Sequence, residues 1–227
     1  MTKTISVKKR NKVVSIEEAA RKIEDGMRIM VGGFLGNGSA AGMLDALADK
    51  GLKGLTLICN DSGFAGKGIA RLIEGGCCRK LIASYIGACP ESGRRMQTGE
   101  LEVELVPQGT LAERIRAHGS GLGGVLTQAG VGTIVEEGKQ KLNVDGRDYL
   151  LEKPLGADVA LLGGSVVDRA GNVFYRRSTR NFNPSMALAA DMVIVEAREI
   201  VEVGEIDPDT VMTPGVLVDW IVQGRCV

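Results

Sequence analysis

Short apolar runs alternate with amphipathic stretches along most of this chain, and that alternation narrows its possible folds more than any other feature. The runs Met27–Gly33, Gly54–Asn60, Lys80–Gly87, Asp158–Asp168 and Asp191–Val201 read as buried strands. Between them, Ser15–Asp25, Ala40–Gly51, Gly66–Gly76, Glu91–Glu100 and Thr110–Gly121 carry helical patterns. Apolar strands separated by helices do not pair as hairpins; they pack as a largely parallel sheet covered on both sides. The expected fold is α/β, an open, mostly parallel sheet with helices on both faces. Ser15 and Glu18 form a capping-box pattern at the first helix, which Gly26 stops, and Ser39 is read as the cap of the second. Leu101 opens a further alternating strand, and Asp219–Gly224 reads as a terminal helix. Between residues 121 and 151 the periodicity gives way to a loop and a hairpin excursion, with Asp145-Gly146 as the turn. No repeat or linker divides the chain, so residues 1–227 are expected to form a single domain, and 44% hydrophobic residues suffice for its core.

The stretch from Val31 to Ala40, VGGFLGNGSA, carries four glycines at the end of one such strand. Glycine inside an element costs stability, so a cluster marks backbone that bends sharply or approaches something closely. In open parallel sheets, ligands collect beyond the carboxyl ends of the strands. Three segments end strands there: GGFLGNG, CNDSG and PQGT, around Gly32, Asn60 and Gln108.

Several chemistries are excluded. Acids and bases balance at 28 each, which gives no global pull toward nucleic acid or an anionic membrane. No apolar run has the length of a membrane span, and the basic N-terminus lacks the apolar core of a secretory signal, so a cytoplasmic location is expected. The five cysteines, with Cys77 and Cys78 adjacent and no Cys-x-x-Cys, form neither a disulfide framework nor a zinc site. They are read as reduced, mostly buried thiols. His118 is the sole histidine, which rules out a two-histidine metal site and reads as a helix-end residue; no metal is expected. There is no Walker A motif, GNGSAAG misses the dinucleotide fingerprint by one residue, and aromatics are too few for a stacking platform. The acids between Glu196 and Asp207 read as a solvated face. The cluster Arg176–Arg180 reads either as a phosphate site or as an ordinary ion-pair surface.

The motifs taken together resemble the coenzyme A transferase family, 3-oxoacid type, A (alpha) subunit. Asp25, Gly26, Gly32, Gly33, Phe34 and Gly38 match the family's first signature, with Ala40 where the family has a proline. The resemblance runs on through residues 99–139 and 158–196 and the VMTPGVLVDWIV stretch, from about Val14 onward. It implies transfer of CoA between a short-chain acyl-CoA and a carboxylic acid of the acetate, acetoacetate or butyrate class, with 3-oxoadipate or succinate as variants. Family chemistry uses a nucleophilic glutamate that passes through an acyl anhydride to a glutamyl-CoA thioester. That glutamate lies in a Ser-Glu-x-Gly motif of the other half, which is absent here; Glu91, in PESGRR, reads as a helix-start acid. The resemblance therefore implies a partner beta subunit, an α2β2 assembly, CoA thioesters as substrates and no permanently bound cofactor. It also assigns Gln108 as the donor to the transition-state oxyanion, with Asn60 beside the glutamate. Gly32, Gly33, Phe34, Gly36, Gly38 and Gly109 become the substrate-binding set. The residues alone allow another reading, in which both amides merely satisfy loop backbone and the protein is a non-catalytic acyl-CoA-binding or regulatory module.

Overall fold

The structure is a computed structural model and describes residues 12–225. Most of the basic N-terminal stretch, together with Cys226, lies outside the described residues. Strands β1 (Val13–Val14), β2 (Arg28–Val31), β3 (Leu55–Asp61), β4 (Cys78–Tyr85), β5 (Glu102–Leu105), β9 (Ala157–Asp168), β11 (Ala190–Val201) and β12 (Trp220–Gln223) form one parallel sheet in the order β1-β12-β11-β9-β2-β3-β4-β5. A two-residue strand, β10 (Val173–Phe174), folds back antiparallel on β9.

The pleat sends alternate residues to opposite faces. In β2, Ile29 and Val31 enter one apolar cluster and Met30 the other; in β9, Val159 and Leu161 oppose Ala160 and Leu162. The first cluster lies under α1 (Ile16–Ala20), α2 (Ala41–Lys50) and α3 (Ile69–Glu74). The second lies under α5 (Gln108–Gly119) and α6 (Asn183–Leu188). A strand buried on both faces needs apolar residues at every position, which is why these runs are continuous rather than alternating. The short helix α4 (Pro90–Gln97) is mostly exposed. As expected, the chain between 121 and 151 leaves the sheet. There β7 (Lys141–Val144) and β8 (Arg147–Glu152) join through a turn with Asp145 and Gly146 at φ 52° and 80°. Strand β6 (Val125–Thr127) adds to them as a separate three-stranded sheet.

Four local expectations are corrected. Asp219–Gly224 does not form a helix: Trp220–Gln223 is strand β12, inserted between β1 and β11. Its buried Ile221 and Val222 are β-branched and fit a pleated surface better than a helix. The first helix stops at Ala20, short of Gly26, although Ser15 does cap it by accepting from the N–H of Glu18 at 3.1 Å. Ser39 caps nothing: its Oγ donates to the carbonyl of Gly36, and Ala40 occupies the cap position of α2 with no side-chain bond. Glu196, read as solvated, is fully buried on β11. Its carboxylate accepts from the N–H groups of Gly42 and Met43 at 3.0 and 2.8 Å, so a strand far away in sequence caps α2.

Strand order reverses between β2 and β9. From β2 the chain proceeds to β3, β4 and β5 on one side, while β9 leads to β11 and β12 on the other. A crevice opens beyond the carboxyl ends of strands at such a point.

Candidate functional site

The glycine stretch leaves β2 at this crevice. Phe34 and Asn37 exchange two backbone hydrogen bonds of 3.0 Å around Leu35 and Gly36, whose φ values are 49° and 86°. Two positive φ angles in succession make a tight reversal of the type I′ kind. Glycine adopts that geometry freely, whereas Leu35 is strained by it and must be held. Asp61 holds it. At the end of β3 its buried carboxylate accepts from the N–H of Leu35 at 2.8 Å and from that of Gly63 at 2.9 Å.

Asp61 also receives the amide of Asn60 at 2.8 Å. The Asn60 carbonyl accepts from the Gln108 amide at 2.6 Å and from Ser84 Oγ at 3.2 Å. One polar chain thus links Gln108, Asn60, Asp61 and the Leu35 turn, so the three strand-end segments singled out in the sequence do meet. Asn60 is buried beneath this chain, with both of its amide atoms engaged. Gln108 is exposed above it.

Helix α5 begins at Gln108, two residues before the expected Thr110. Pro107 stands at its cap position and offers no side-chain bond. Among the described residues the N–H groups of Gln108, Gly109 and Thr110 have no partner, so the first turn presents free donors and the positive end of the helix dipole. Phe34, Gln108, Gly109, Ala112, Asn181 and Phe182 line a cleft of about 260 Å³ at this point. No acid lines it. On the other side of the turn, Leu35, Gly36, Phe64, Lys67 and Ile69 border a mostly apolar cavity of about 480 Å³.

The structure separates the glycines into two groups. A Cβ on Gly32 would fall 1.7 Å from Asn183 Oδ1, one on Gly33 2.5 Å from Ser39 Oγ, and one on Gly38 2.5 Å from the Thr179 carbonyl. At these positions the closely approaching atoms are the protein's own. Gly36 and Gly109 have nothing within 4 Å of that position and face open space. The sequence reading missed the residues that hold the loop. Asn181 Oδ1 accepts from the N–H of Gly33 at 3.0 Å, and its amide donates to the Asn37 carbonyl at 2.9 Å. The buried Asn183 donates to the carbonyls of Gly38 and Thr179. Two asparagines bracketing a phenylalanine in RNFNP were the available signal, since short amides are well suited to tie loop backbone.

The remaining candidates fall elsewhere. Glu91 sits in the first turn of α4 and pairs with Arg94 and Arg95, whose guanidinium groups hold its carboxyl down at about 2. Cys59, Cys77, Cys78 and Cys89 are buried free thiols, and burial pushes Cys78 up to about 12. His118 is exposed at the end of α5, packed on Gly156. Among the described residues no cluster of acids, cysteines and histidine is placed to hold a metal, and no helix is long and apolar enough to cross a membrane.

Known proteins share this fold. The acyl-CoA transferase YdiF of E. coli O157:H7, solved as a thioester complex with CoA, superposes with a TM-score of 0.88 at 23% identity. The match covers 95% of this chain and 47% of that longer one, and at that identity it speaks for the fold alone. In sequence, the chain is 52% identical over 213 residues to the acetoacetyl-CoA:acetate/butyrate CoA transferase alpha subunit of Clostridium acetobutylicum, covering 94% of this chain and 98% of that protein. It is 53% identical over 216 residues to the acetate CoA-transferase subunit alpha of Escherichia coli K12, covering 95% and 98%. The family description Coenzyme A transferase matches residues 13–224, nearly everything the structure describes. With this match over residues 13–224 and relatives at 52% and 53% identity over nearly their whole length, the chain belongs to the coenzyme A transferase family.

Proposed function

We propose that this chain is the alpha subunit of a two-subunit CoA-transferase that moves CoA between a short-chain acyl-CoA, or 3-oxoacyl-CoA, and a carboxylic acid. Acetate, acetoacetate and butyrate are the acids favoured, as in the names of the relatives at 52% and 53% identity. The subunit forms one domain, works in the cytoplasm and assembles with a beta subunit as α2β2. CoA thioesters are its substrates, and it holds no permanent cofactor.

The observation that carries this reading is the meeting of the uncapped α5 N-terminus, Gln108 and the glycine turn at one cleft. Attack of a carboxylate on a thioester carbonyl places negative charge on the carbonyl oxygen. Fixed neutral donors stabilise that charge without adding a counter-charge that would quench the nucleophile. The Gln108 amide and the free N–H groups at the start of α5 are such donors. Asn60 keeps the Gln108 side chain in place from below and acts as a positioning residue. Since no glutamate lines the cleft, the attacking carboxylate comes from the beta subunit.

The test is CoA transfer from acetoacetyl-CoA to acetate by the co-purified subunits and by each alone. Activity is expected only from the pair. The pair carrying Gln108→Ala should lose about a hundredfold in kcat, the scale of removing one oxyanion donor. Full turnover by this chain alone, or binding of acyl-CoA by the pair without turnover, would refute the assignment.

A further inference from the structure

The segment 176–180, left open by the sequence as phosphate site or ion-pair surface, borders a third cavity. Arg176, Arg177, Ser178, Thr179 and Arg198 line it together with Asn37, around about 480 Å³. The charges in it are largely uncommitted. Arg176 reaches Glu199 only at 4.0 Å, and Glu202 on the same strand end is taken by Arg169 at 2.7 Å. Arg177 and Arg198 form no ion pair among the described residues and are exposed. Three guanidinium groups on one cavity with a single distant carboxylate partner are suited to polyanions, above all to phosphate oxygens.

The backbone that carries Arg176 and Arg177 is firmly tied. Arg177 has φ 54°, a conformation that glycine would adopt without strain. The chain around it is over-determined: Ser165 Oγ accepts from the N–H of Arg176, and Thr179 Oγ1 bonds to the Arg176 carbonyl. Most telling is its attachment to the glycine turn. The Asn37 amide donates to Ser178 Oγ at 2.9 Å, so one residue of the turn is a wall of the arginine cavity. Its hydrogen-bonded opposite, Phe34, walls the Gln108 cleft. One end residue of this four-residue turn thus walls each cavity. Gly36, at the crest, has open space where a side chain would stand. In the sheet, β3 beneath the amide chain and β11 carrying Arg198 are three strand spacings apart, about 14 Å.

We propose that the Arg176, Arg177 and Arg198 cavity binds the phosphate groups at the nucleotide end of the CoA thioester whose carbonyl occupies the Gln108 cleft. The pantetheine arm then passes over Gly36. This inference rests on the CoA-transferase reading and gives the alpha subunit a share in holding CoA as well as in the chemistry.

The experiment uses the assembled two-subunit enzyme. Rates are measured with acetoacetyl-CoA and with acetoacetyl-pantetheine, which keeps the thioester and arm but has no phosphates. Arg177→Ala and Arg198→Ala should each raise KM for acetoacetyl-CoA about tenfold, the scale of one lost charge-assisted bond, at unchanged kcat. Their kcat/KM for acetoacetyl-pantetheine should equal the wild-type value. Added salt should raise the wild-type KM for acetoacetyl-CoA more steeply than that of the double variant. Equal losses on both substrates, or an unchanged KM for acetoacetyl-CoA, would overturn the proposal. So would loss of the beta subunit from the variants on size exclusion, which would make the cluster a protein interface. An inactive wild-type pair would instead count against the transferase reading itself.

Discussion

Replacing Glu196 by alanine leaves the start of α2 without its cap, and the structure sets the cost. The carboxylate receives the N–H of Met43 at a fully buried position, that of Gly42 at a partly buried one, and that of Arg225 at 2.7 Å near the chain end. A buried N–H left without an acceptor costs roughly 1–3 kcal/mol. Met43 incurs most of that range, Gly42 a smaller part, and the space vacated beside Gly42 and Gly224 adds a packing loss. The sum is roughly 3–5 kcal/mol. Glu196→Gln retains one acceptor oxygen but turns an amide N–H toward a backbone N–H, and should cost roughly 1–3 kcal/mol. Ser39→Ala is the control, because Ser39 only donates to the Gly36 carbonyl and should cost about 1 kcal/mol or less. Urea unfolding of the three variants at one protein concentration, extrapolated linearly to water, reads these differences. A Glu196→Ala chain within about 1 kcal/mol of wild type, or a Ser39→Ala chain less stable than it, would refute the assignment of the cap.

Gly32→Ala and Gly36→Ala should separate two reasons for glycine. The first drives a methyl into Asn183 and should destabilise by several kcal/mol. The second meets no atom and carries only the strain of φ 86°, about 1 kcal/mol, as thermal unfolding of the two chains would show. For Glu91, folding lowers the carboxyl from 4.5 to about 2 through Arg94 and Arg95. A depressed folded-state value stabilises above the unfolded one and is lost as pH falls through the folded one. The stability gap between wild type and Glu91→Gln should therefore be constant from neutrality down to about pH 5, narrow below that, and close near pH 2. A gap that persists at pH 2 would mean the ion pairs are not its source.

Much of this protein was legible in its residues because the information is local. Ile29, Met30 and Val31 in one unbroken run announce a strand buried on both faces. Asp145-Gly146 spells its own turn. What stayed hidden depends on partners distant in the chain. Glu196 looks like one acid among five until β11 is laid under the start of α2. Nothing in the sequence says that Asn183 stands where the Cβ of Gly32 would be. Asp219–Gly224 looks helical until its neighbours prove to be β1 and β11. Backbone preference and hydrophobic period act over a few residues and can be read in order. A buried N–H, a missing Cβ or a strand's pairing partner is satisfied through space, so only the folded chain decides which residue meets it.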